Sequence, residues 1–367
     1  MVGADAAFIR PYIWLSILAA FLSMVGSASG DRRTGEACLA PTGIGDGSKR
    51  RYPQASLEVA TPLALKYPED VGIANDPNVV FAEDFESGSL EAVQARWESV
   101  KNVAGMALSA DVPTGSHGRH SLLMTHIGGQ GTGAHLYRRL RPGYDKLHVR
   151  FYVKFDPDCW PIHHFVHVGG YNPPTAWPQG GAGIRPNGDE RFSTGVEPFG
   201  EKWRWDFYSY WMEMRSSPDN HSWGHDFIND SELKVERGRW ICVELMMKMN
   251  DPPAQRNGEQ ALWIDGRPWV KDGQLVSHLG PGFPKGKWVW DSFLPDSQGE
   301  PFEGFRWRQN EELKLNFLWL LLYITKAPPG HVSKVWFDDI VVAQEYIGPI
   351  ADIRANHDSP PLNRTQR

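Results

Sequence analysis

Cysteine is scarce in this chain of 367 residues, which contains only Cys38, Cys159 and Cys242. Three cysteines form at most one disulfide and leave one thiol over, so a small disulfide-stapled scaffold is excluded. Their spacing also fits neither a zinc ribbon nor a redox-active motif. A hydrophobic core must therefore hold the fold together, and the 41% of hydrophobic residues can build one.

The chain has no excess of positive charge. Its 38 Lys and Arg residues face 44 Asp and Glu residues, which gives a net charge of -6. Sequence-independent nucleic-acid binding depends on neutralising phosphates, so nucleic acid is not an expected partner. The basic side chains of residues 138–150 are a local exception, and they suit either a solvated strand surface or contact with a polyanion.

Long apolar runs are also rare. Ile13 to Val25 is an apolar run of thirteen residues, too short for a membrane span of about 20 residues, and small residues follow it at 26–30. This pattern predicts a cleaved export signal over residues 1–30, and a secreted or periplasmic protein with no membrane span once the signal is removed. An uncleaved anchor is the alternative, because Asp5 offsets Arg10 in the first part of the signal.

Several common catalytic motifs are missing. The sequence has no Gly-x-Ser-x-Gly elbow, phosphate-binding loop, His-Glu-x-x-His motif or dinucleotide fingerprint, so the enzyme classes built on them lack their parts. No Glu is followed two residues later by Asp, which removes the Glu-x-Asp-x-x-Glu pattern of sandwich glycosidases. A glycosidase pair from separate strands, such as Glu197 with Asp206 or Glu213, stays open.

Tryptophan, glycine and proline are abundant, with 16, 37 and 28 residues respectively. Aromatic and turn-forming residues favour β-structure, and short apolar or alternating segments recur over residues 79–350. The sequence therefore predicts an all-β domain there, a jelly-roll β-sandwich of two antiparallel sheets. Residues 31–78 are expected to be an extended arm or linker, and residues 351–367 a flexible tail.

Residues 203–212 show a clear alternation. Successive side chains of a strand point to opposite faces, so Trp205 and Phe207 share one face while Tyr208 and Tyr210 share the other. The apolar face is expected to enter the core, and the two phenols are expected to line a polar cleft about 7 Å apart. A solvated strand face, on which the tyrosines pack against neighbouring strands, is the alternative.

Three histidines, His163, His164 and His167, lie near the start of another predicted strand. On a regular strand His163 and His167 would share one face but lie roughly 13 Å apart, too far to bind one metal ion. Zinc binding would require ligands from other strands. Two interpretations stay open for these histidines: a structural, hydrogen-bonding role, and a position facing the substrate for at least one of them.

Both ends of the predicted domain resemble a known superfamily. Residues 81–88 are similar to the opening strand of concanavalin A-like jelly rolls, and residues 335–342 are similar to their closing strand. Residues 239–244 and 262–266 are similar to back-sheet strands of jelly-roll polysaccharide lyases of the alginate and glucuronan lyase type. The resemblance spans about residues 79–350.

This resemblance implies an exported polysaccharide lyase that cleaves a uronic-acid-containing polysaccharide by β-elimination. The strand ending in Gly169-Gly170-Tyr171 and the pair Tyr208 and Tyr210 lie where those lyases place their cleft. The chain has histidines where alginate-cleaving members carry a lysine. Two other functions stay open: a non-catalytic carbohydrate-binding jelly-roll protein, and a glycoside hydrolase on the same scaffold.

Elimination needs a base, an acid for the leaving oxygen and a group that neutralises the uronate carboxylate. A phenol is a poor base unless a cation lowers its pKa, and Arg185 and Arg204 lie in the same segment of the sequence, residues 159–214, as the two tyrosines. The expected catalytic residues are Tyr208, Tyr210, His164, His167 and Arg185. The expected substrate-binding residues are Arg204, His163, Tyr171 and Trp177.

No cofactor is expected for the chemistry itself. The first and last strands of this superfamily lie side by side, which brings Asp84 and Glu86 near Asp338 or Asp339. Clustered carboxylates suit calcium, so Asp84, Glu86 and Asp339 are expected to hold a structural calcium ion. Solvated acidic side chains at a sheet edge are the alternative.

Overall fold

A computed structural model describes residues 61–130 and 133–351. The predicted export signal, the first part of the predicted arm and all but the first residue of the predicted tail lie outside these residues. The domain boundaries stay predictions. None of the helices in the described ranges is long and apolar enough to cross a membrane.

The described residues form twenty strands and a few short helices. The first ten strands are β1 (Val79–Glu83), β2 (Ser99–Lys101), β3 (Met106–Ser109), β4 (Ser121–Ile127), β5 (His135–Tyr144), β6 (Lys146–Phe155), β7 (His164–Tyr171), β8 (Arg191–Pro198), β9 (Trp205–Tyr210) and β10 (Trp240–Lys248). The other ten are β11 (Glu259–Ile264), β12 (Arg267–Pro268), β13 (Val270–Lys271), β14 (Gln274–Leu275), β15 (His278–Leu279), β16 (Lys285–Val289), β17 (Ser292–Pro295), β18 (Glu300–Pro301), β19 (Leu315–Tyr323) and β20 (Val332–Ala343). The helix α1 spans Leu90–Gln94, and 3-10 turns span Leu63–Lys66, Pro68–Asp70, Ile73–Asn75, Val103–Gly105 and Gly200–Lys202.

Two large antiparallel sheets contain most of the strands. The nine-stranded sheet has the order β12-β11-β10-β6-β20-β4-β3, with β1 also paired to β20 and β15 to β11. The six-stranded sheet has the order β2-β5-β19-β7-β8-β9. Two smaller sheets contain β13 with β14, and β16 with β17 and β18. This arrangement confirms the predicted jelly-roll β-sandwich.

Aromatic side chains fill the space between the two sheets. Phe165 of β7 packs against Phe151 of β6 and Phe337 of β20, with ring centroids 6.3 Å and 5.1 Å apart. All three are fully buried. Burying a phenylalanine side chain stabilises a fold by about 1.5–3 kcal/mol, so this contact is a main source of the attraction between the sheets.

The alternation predicted for residues 203–212 is confirmed in β9. Trp205 and Phe207 are fully buried in the core. Ser209 faces the same way, and both its hydroxyl and that of Thr194 lie within 3.1 Å of the Gln260 side-chain oxygen of the other sheet. The core face of the six-stranded sheet therefore carries one polar link to its neighbour.

Residues 61–78 pack against the sandwich, although an extended arm was expected there. Leu63 and Ile73 are buried in a cluster with residues of β20. Asp70 forms an ion pair with Arg150 of β6, whose side chain is fully buried. A buried charge needs a partner, and Asp70 supplies it from a segment whose sequence shows no periodic pattern.

Two of the three cysteines lie in the described residues, and neither forms a disulfide. Cys159 and Cys242 are both buried free thiols. Burial raises the pKa of each thiol to about 12. Both therefore act as small apolar groups of the core at neutral pH.

We expect Asp70→Ala to destabilise the protein by about 3–5 kcal/mol, because it leaves the Arg150 guanidinium buried without its carboxylate. Urea unfolding would measure the change. Glu69→Ala is a matched control, since no ion pair of the Glu69 side chain occurs among the described residues. Equal stability of the two variants would contradict this account of Arg150.

Candidate active site

The outer face of the six-stranded sheet contains a cavity of about 220 Å³. Strands β7, β8, β9 and β19 form its floor, and residues 179–182 form one wall. The lining residues include two histidines, three tyrosines, one arginine and three further aromatic residues: His164, His167, Tyr171, Gln179, Gly180, Gly181, Ala182, Arg191, Phe192, Ser193, Tyr208, Tyr210, Phe317 and Trp319.

Tyr208 and Tyr210 reach this cavity because β9 buries the residues that alternate with them, Phe207 and Ser209. Their hydroxyl oxygens are 3.3 Å apart, closer than the spacing of about 7 Å expected along a strand. The loop over residues 216–232 covers Tyr208: a Cβ atom at Gly224 would lie 2.5 Å from its ring. This loop can approach the phenol so closely only because position 224 has no side chain.

His164 and His167 lie together on the cavity side, which corrects the expectation that His163 and His167 share a face. The pairing of β7 with β19 is irregular, since Leu320 pairs with Val166 while Tyr323 pairs with His164. One extra residue in β19 forms a bulge opposite this part of β7, where two successive residues, Phe165 and Val166, are both buried in the core. The rings of His164 and His167 are 5.7 Å apart.

Glu197 of β8 links the two histidines. Its Oε1 atom is 2.9 Å from His164 Nδ1 and 3.4 Å from His167 Nε2. The longer contact is too poorly aligned to be a hydrogen bond. Burial alone would raise the pKa of Glu197, but the charge of His164 and the hydrogen bond from it lower this pKa to about 2. The carboxylate is therefore ionised and accepts the Nδ1 proton of His164, which leaves Nε2 as the basic nitrogen.

The three residues His164, His167 and Glu197 could also hold a metal ion. The atoms that could bind the ion lie within 4.8 Å of one another. No other group of three or more His, Cys, Asp or Glu side chains in the described part of the chain is arranged in this way. The sequence interpretation required ligands from another strand, and Glu197 of β8 is such a ligand.

Burial sets the protonation states of the other groups. It raises the pKa of Tyr208, and the nearby Tyr210 and Glu197 raise it further. It lowers the pKa of His167, against the opposing effect of Glu197. At neutral pH the cavity therefore presents a protonated phenol at Tyr208 and a neutral imidazole at His167.

The arginine of the cavity is Arg191, which the sequence analysis missed. Its Nη2 atom donates to the carbonyl oxygens of Gly181 and Ile184 at 2.9 Å and 2.5 Å. Its guanidinium carbon is 5.9 Å from the centre of the Tyr210 ring. The alternation of β8 gives a signal that could have found it, since Arg191 and Ser193 occupy alternate positions and Ser193 pairs with Tyr210.

Arg185 and Arg204, the arginines expected at the site, do not line the cavity. Arg185 is exposed and donates to the Ser216 hydroxyl at 3.3 Å. Arg204 is buried and lies 3.0 Å from Asp226 and 3.3 Å from Asp206. Its charge is balanced by these two carboxylates, which indicates a structural role.

Of the remaining predicted site residues, one lines the cavity and two do not. Tyr171 lines the cavity and stacks on Phe317, with ring centroids 4.9 Å apart. His163 and Trp177 lie outside the lining set, and Trp177 is 60% exposed. Trp319 was missed. Its Nε1 donor is buried in the cavity wall without a partner among the described residues.

No carboxylate lines the cavity within the described residues. Asp206, one expected glycosidase partner of Glu197, accepts the backbone N–H groups of Phe227, Ile228 and Asn229. Glu213, the other, forms an ion pair with Arg256 at 2.7 Å. Both side chains are occupied elsewhere, so the geometry does not offer the pair of carboxylates that a glycosidase requires.

The expected calcium ligands lie near the contact of β1 with β20. Asp84 and Asp339 line a cavity of about 90 Å³, but Glu86 does not line it and instead pairs with His120 at 3.0 Å. Burial and the charges of Asp339, Glu86 and Asp84 raise the pKa of Asp338. Its Oδ2 atom and that of Asp339 are buried without partners among the described residues. A cation here would relieve this repulsion.

If calcium binds there, EGTA should lower the melting temperature by several degrees, since a ligand of the folded state stabilises it. Added calcium should restore the original value. A chelator already saturated with calcium is the control. An unchanged melting temperature, together with an elemental analysis that finds no calcium, would refute the site.

Comparisons with known proteins give similarity at the level of solved structures. No protein-family model and no curated protein matches the sequence. An alginate lyase from Chlorella virus is 13% identical with a TM-score of 0.47, and the match covers 73% of this chain and 100% of that one. A marine alginate lyase from Aplysia kurodai is 10% identical, with a TM-score of 0.47 and coverage of 73% and 99%. An endo-β-1,4-glucuronan lyase from the fungus Trichoderma reesei is 16% identical, with a TM-score of 0.39 and coverage of 73% and 96%. Lyases of the type that the sequence resembles are thus among the solved structures similar to this chain.

Proposed function

We propose that the protein is an exported polysaccharide lyase that cleaves a uronic-acid-containing polysaccharide by β-elimination. The observation that carries this proposal is the convergence of His164, Tyr208, Tyr210 and Arg191 on one cavity that no described carboxylate lines. These groups can supply a base, an acid and a cation, whereas a glycosidase needs two carboxylates.

Arg191 is the group that neutralises the uronate carboxylate. A guanidinium can hold a carboxylate through two parallel hydrogen bonds, and its charge stabilises the negative charge that develops when the neighbouring proton is removed. Burial lowers the pKa of Arg191. A bound carboxylate would offset this desolvation, so the unliganded site favours an anionic sugar.

His164 is the base. Its Nδ1–H donates to Glu197 at 2.9 Å, and Nε2 keeps a lone pair that can accept the proton next to the carboxylate. Glu197 also stabilises the imidazolium that forms. It acts as a positioning residue, because it contacts the base and does not line the cavity.

Tyr208 is the acid. Its ring centroid lies 5.1 Å from that of His164, and its raised pKa keeps it protonated. As the base removes the proton, the carbon–carbon double bond forms, the bond to the glycosidic oxygen breaks, and Tyr208 protonates that oxygen. The hydroxyl of Tyr210, 3.3 Å away, can donate to the resulting phenolate. Return of the proton from His164 then restores both groups.

The experiment for this proposal is a screen of uronate polymers and of neutral polysaccharides. A lyase produces an unsaturated uronate that absorbs in the ultraviolet, whereas a hydrolase produces reducing ends without that absorbance. We expect ultraviolet-absorbing product from at least one polyuronate. Reducing ends alone would indicate a hydrolase, and binding without product would indicate a carbohydrate-binding protein.

We expect Tyr208→Phe to lower kcat at least about a hundredfold, because the change deletes only the hydroxyl that protonates the leaving oxygen. Tyr210→Phe should have a smaller effect, since Tyr210 assists through Tyr208. Near-UV circular dichroism would confirm that both variants fold. Near wild-type rates for both would contradict the assignment of the acid.

Arg191→Ala should raise KM and lower kcat, because it leaves the substrate carboxylate unpaired. Arg185→Ala is the matched control, being an exposed arginine outside the cavity. The rates of the two variants on the same polymer give the comparison. A loss confined to Arg185→Ala would restore the residue first expected and remove Arg191 from the mechanism.

A further inference from the structure

The nine-stranded sheet has a second cavity, of about 780 Å³, on its outer face. His148 of β6, Met246 of β10 and Trp263 of β11 form its floor. These residues point away from the core, whereas Val149 and Leu245 beside them enter it. The cavity therefore lies on the side of the sandwich opposite the candidate active site.

Lysines surround this cavity. Lys248 forms an ion pair with Glu259 at 2.8 Å. Lys66 and Lys146 are exposed, and neither has an ion pair with a described carboxylate. Glu345 also lines the cavity. The two unpaired ammonium groups give the rim cations that an anionic ligand can use.

Two histidines that line the cavity, His148 and His278, share one arrangement. His148 Nδ1 lies 2.9 Å from Glu244, and His278 Nε2 lies 2.9 Å from Glu259. The other ring nitrogen of each is buried with no partner among the described residues. His148 itself is only 3% exposed. If each carboxylate accepts the imidazole proton, the remaining nitrogen is an acceptor, which suits the hydroxyl group of a ligand.

Aromatic rings also line this cavity. The ring centroids of Trp263 and Tyr346 are 5.2 Å apart, and that of His148 is 5.8 Å from Trp263. Such rings pack against the apolar faces of sugars, and an acidic sugar adds hydroxyl donors and a carboxylate to such a face.

We propose that this cavity is a second binding site for an acidic oligosaccharide. Lys66 and Lys146 contact the sugar carboxylates, the free nitrogens of His148 and His278 accept sugar hydroxyls, and Trp263 with Tyr346 packs against a ring. This second site binds the oligosaccharide and catalyses no reaction. It would hold a polyuronate chain on the face of the protein opposite the candidate active site.

Calorimetric titration of the full chain with six-sugar oligomers of glucuronate and of mannuronate tests this inference. The Tyr208→Phe background prevents cleavage during the titration. We expect two independent sites for at least one of the oligomers. The double variant Lys66→Glu/Lys146→Glu should weaken one site at least about tenfold and leave the other unchanged, because charge reversal repels the carboxylates. Arg191→Ala should weaken binding at the candidate active site and leave binding at the second site unchanged.

The double variant Lys202→Glu/Lys234→Glu is the matched control, since it makes the same charge change at exposed lysines that do not line this cavity. A neutral six-sugar oligomer of glucose should bind the second site at least about tenfold more weakly than the uronates. A single site that Arg191→Ala removes and the Lys66→Glu/Lys146→Glu pair leaves intact would overturn the inference. Binding at the second site without cleavage of any polymer would refute the lyase function and leave the second site standing.

Discussion

The six-stranded sheet must bury one of its faces, and this requirement determines what the other face presents. Trp205 and Phe207 are fully buried between the sheets, and a strand cannot bury them without turning Tyr208 outward. Because paired residues of neighbouring strands face the same side, Ser193 of β8 lies beside Tyr210. Where the strands pair regularly, packing of the core thus aligns the chemical groups of adjacent strands on one surface.

Sequence reasoning succeeded where a regular strand determines the outcome. The jelly-roll class and the outward direction of Tyr208 and Tyr210 both follow from alternation. It failed where alternation is broken: Phe165 and Val166, neighbours in β7, are both buried in the core, so His164 and His167 on either side of them lie together at the cavity. Arg191 was missed although it lies nearer to the tyrosines in sequence than Arg185 does, because the pairing of β8 with β9, not distance along the chain, decides which cation approaches them.

Asp206 and Glu197 are buried carboxylates of neighbouring strands that have different roles. Asp206 accepts backbone N–H groups of the loop after it, and these bonds fix that loop. Glu197, its pairing partner across β8 and β9, accepts from a side chain that lines the cavity. The first carboxylate stabilises a backbone conformation. The second selects a tautomer, and its effect therefore extends to the basicity of the imidazole.

The ring of His167 can occupy its place in the cavity because the paired position 195 has no side chain. Gly195 pairs with His167, and a Cβ atom there would lie 2.7 Å from the imidazole carbon Cε1. The ring of His167 thus occupies the volume that any larger residue at 195 would take for itself. The space between β7 and β8 at this point holds one large side chain, and His167 of β7 occupies it. A larger side chain at position 195 therefore requires a smaller one at position 167, and a substitution at either position has to be judged together with the residue on the neighbouring strand.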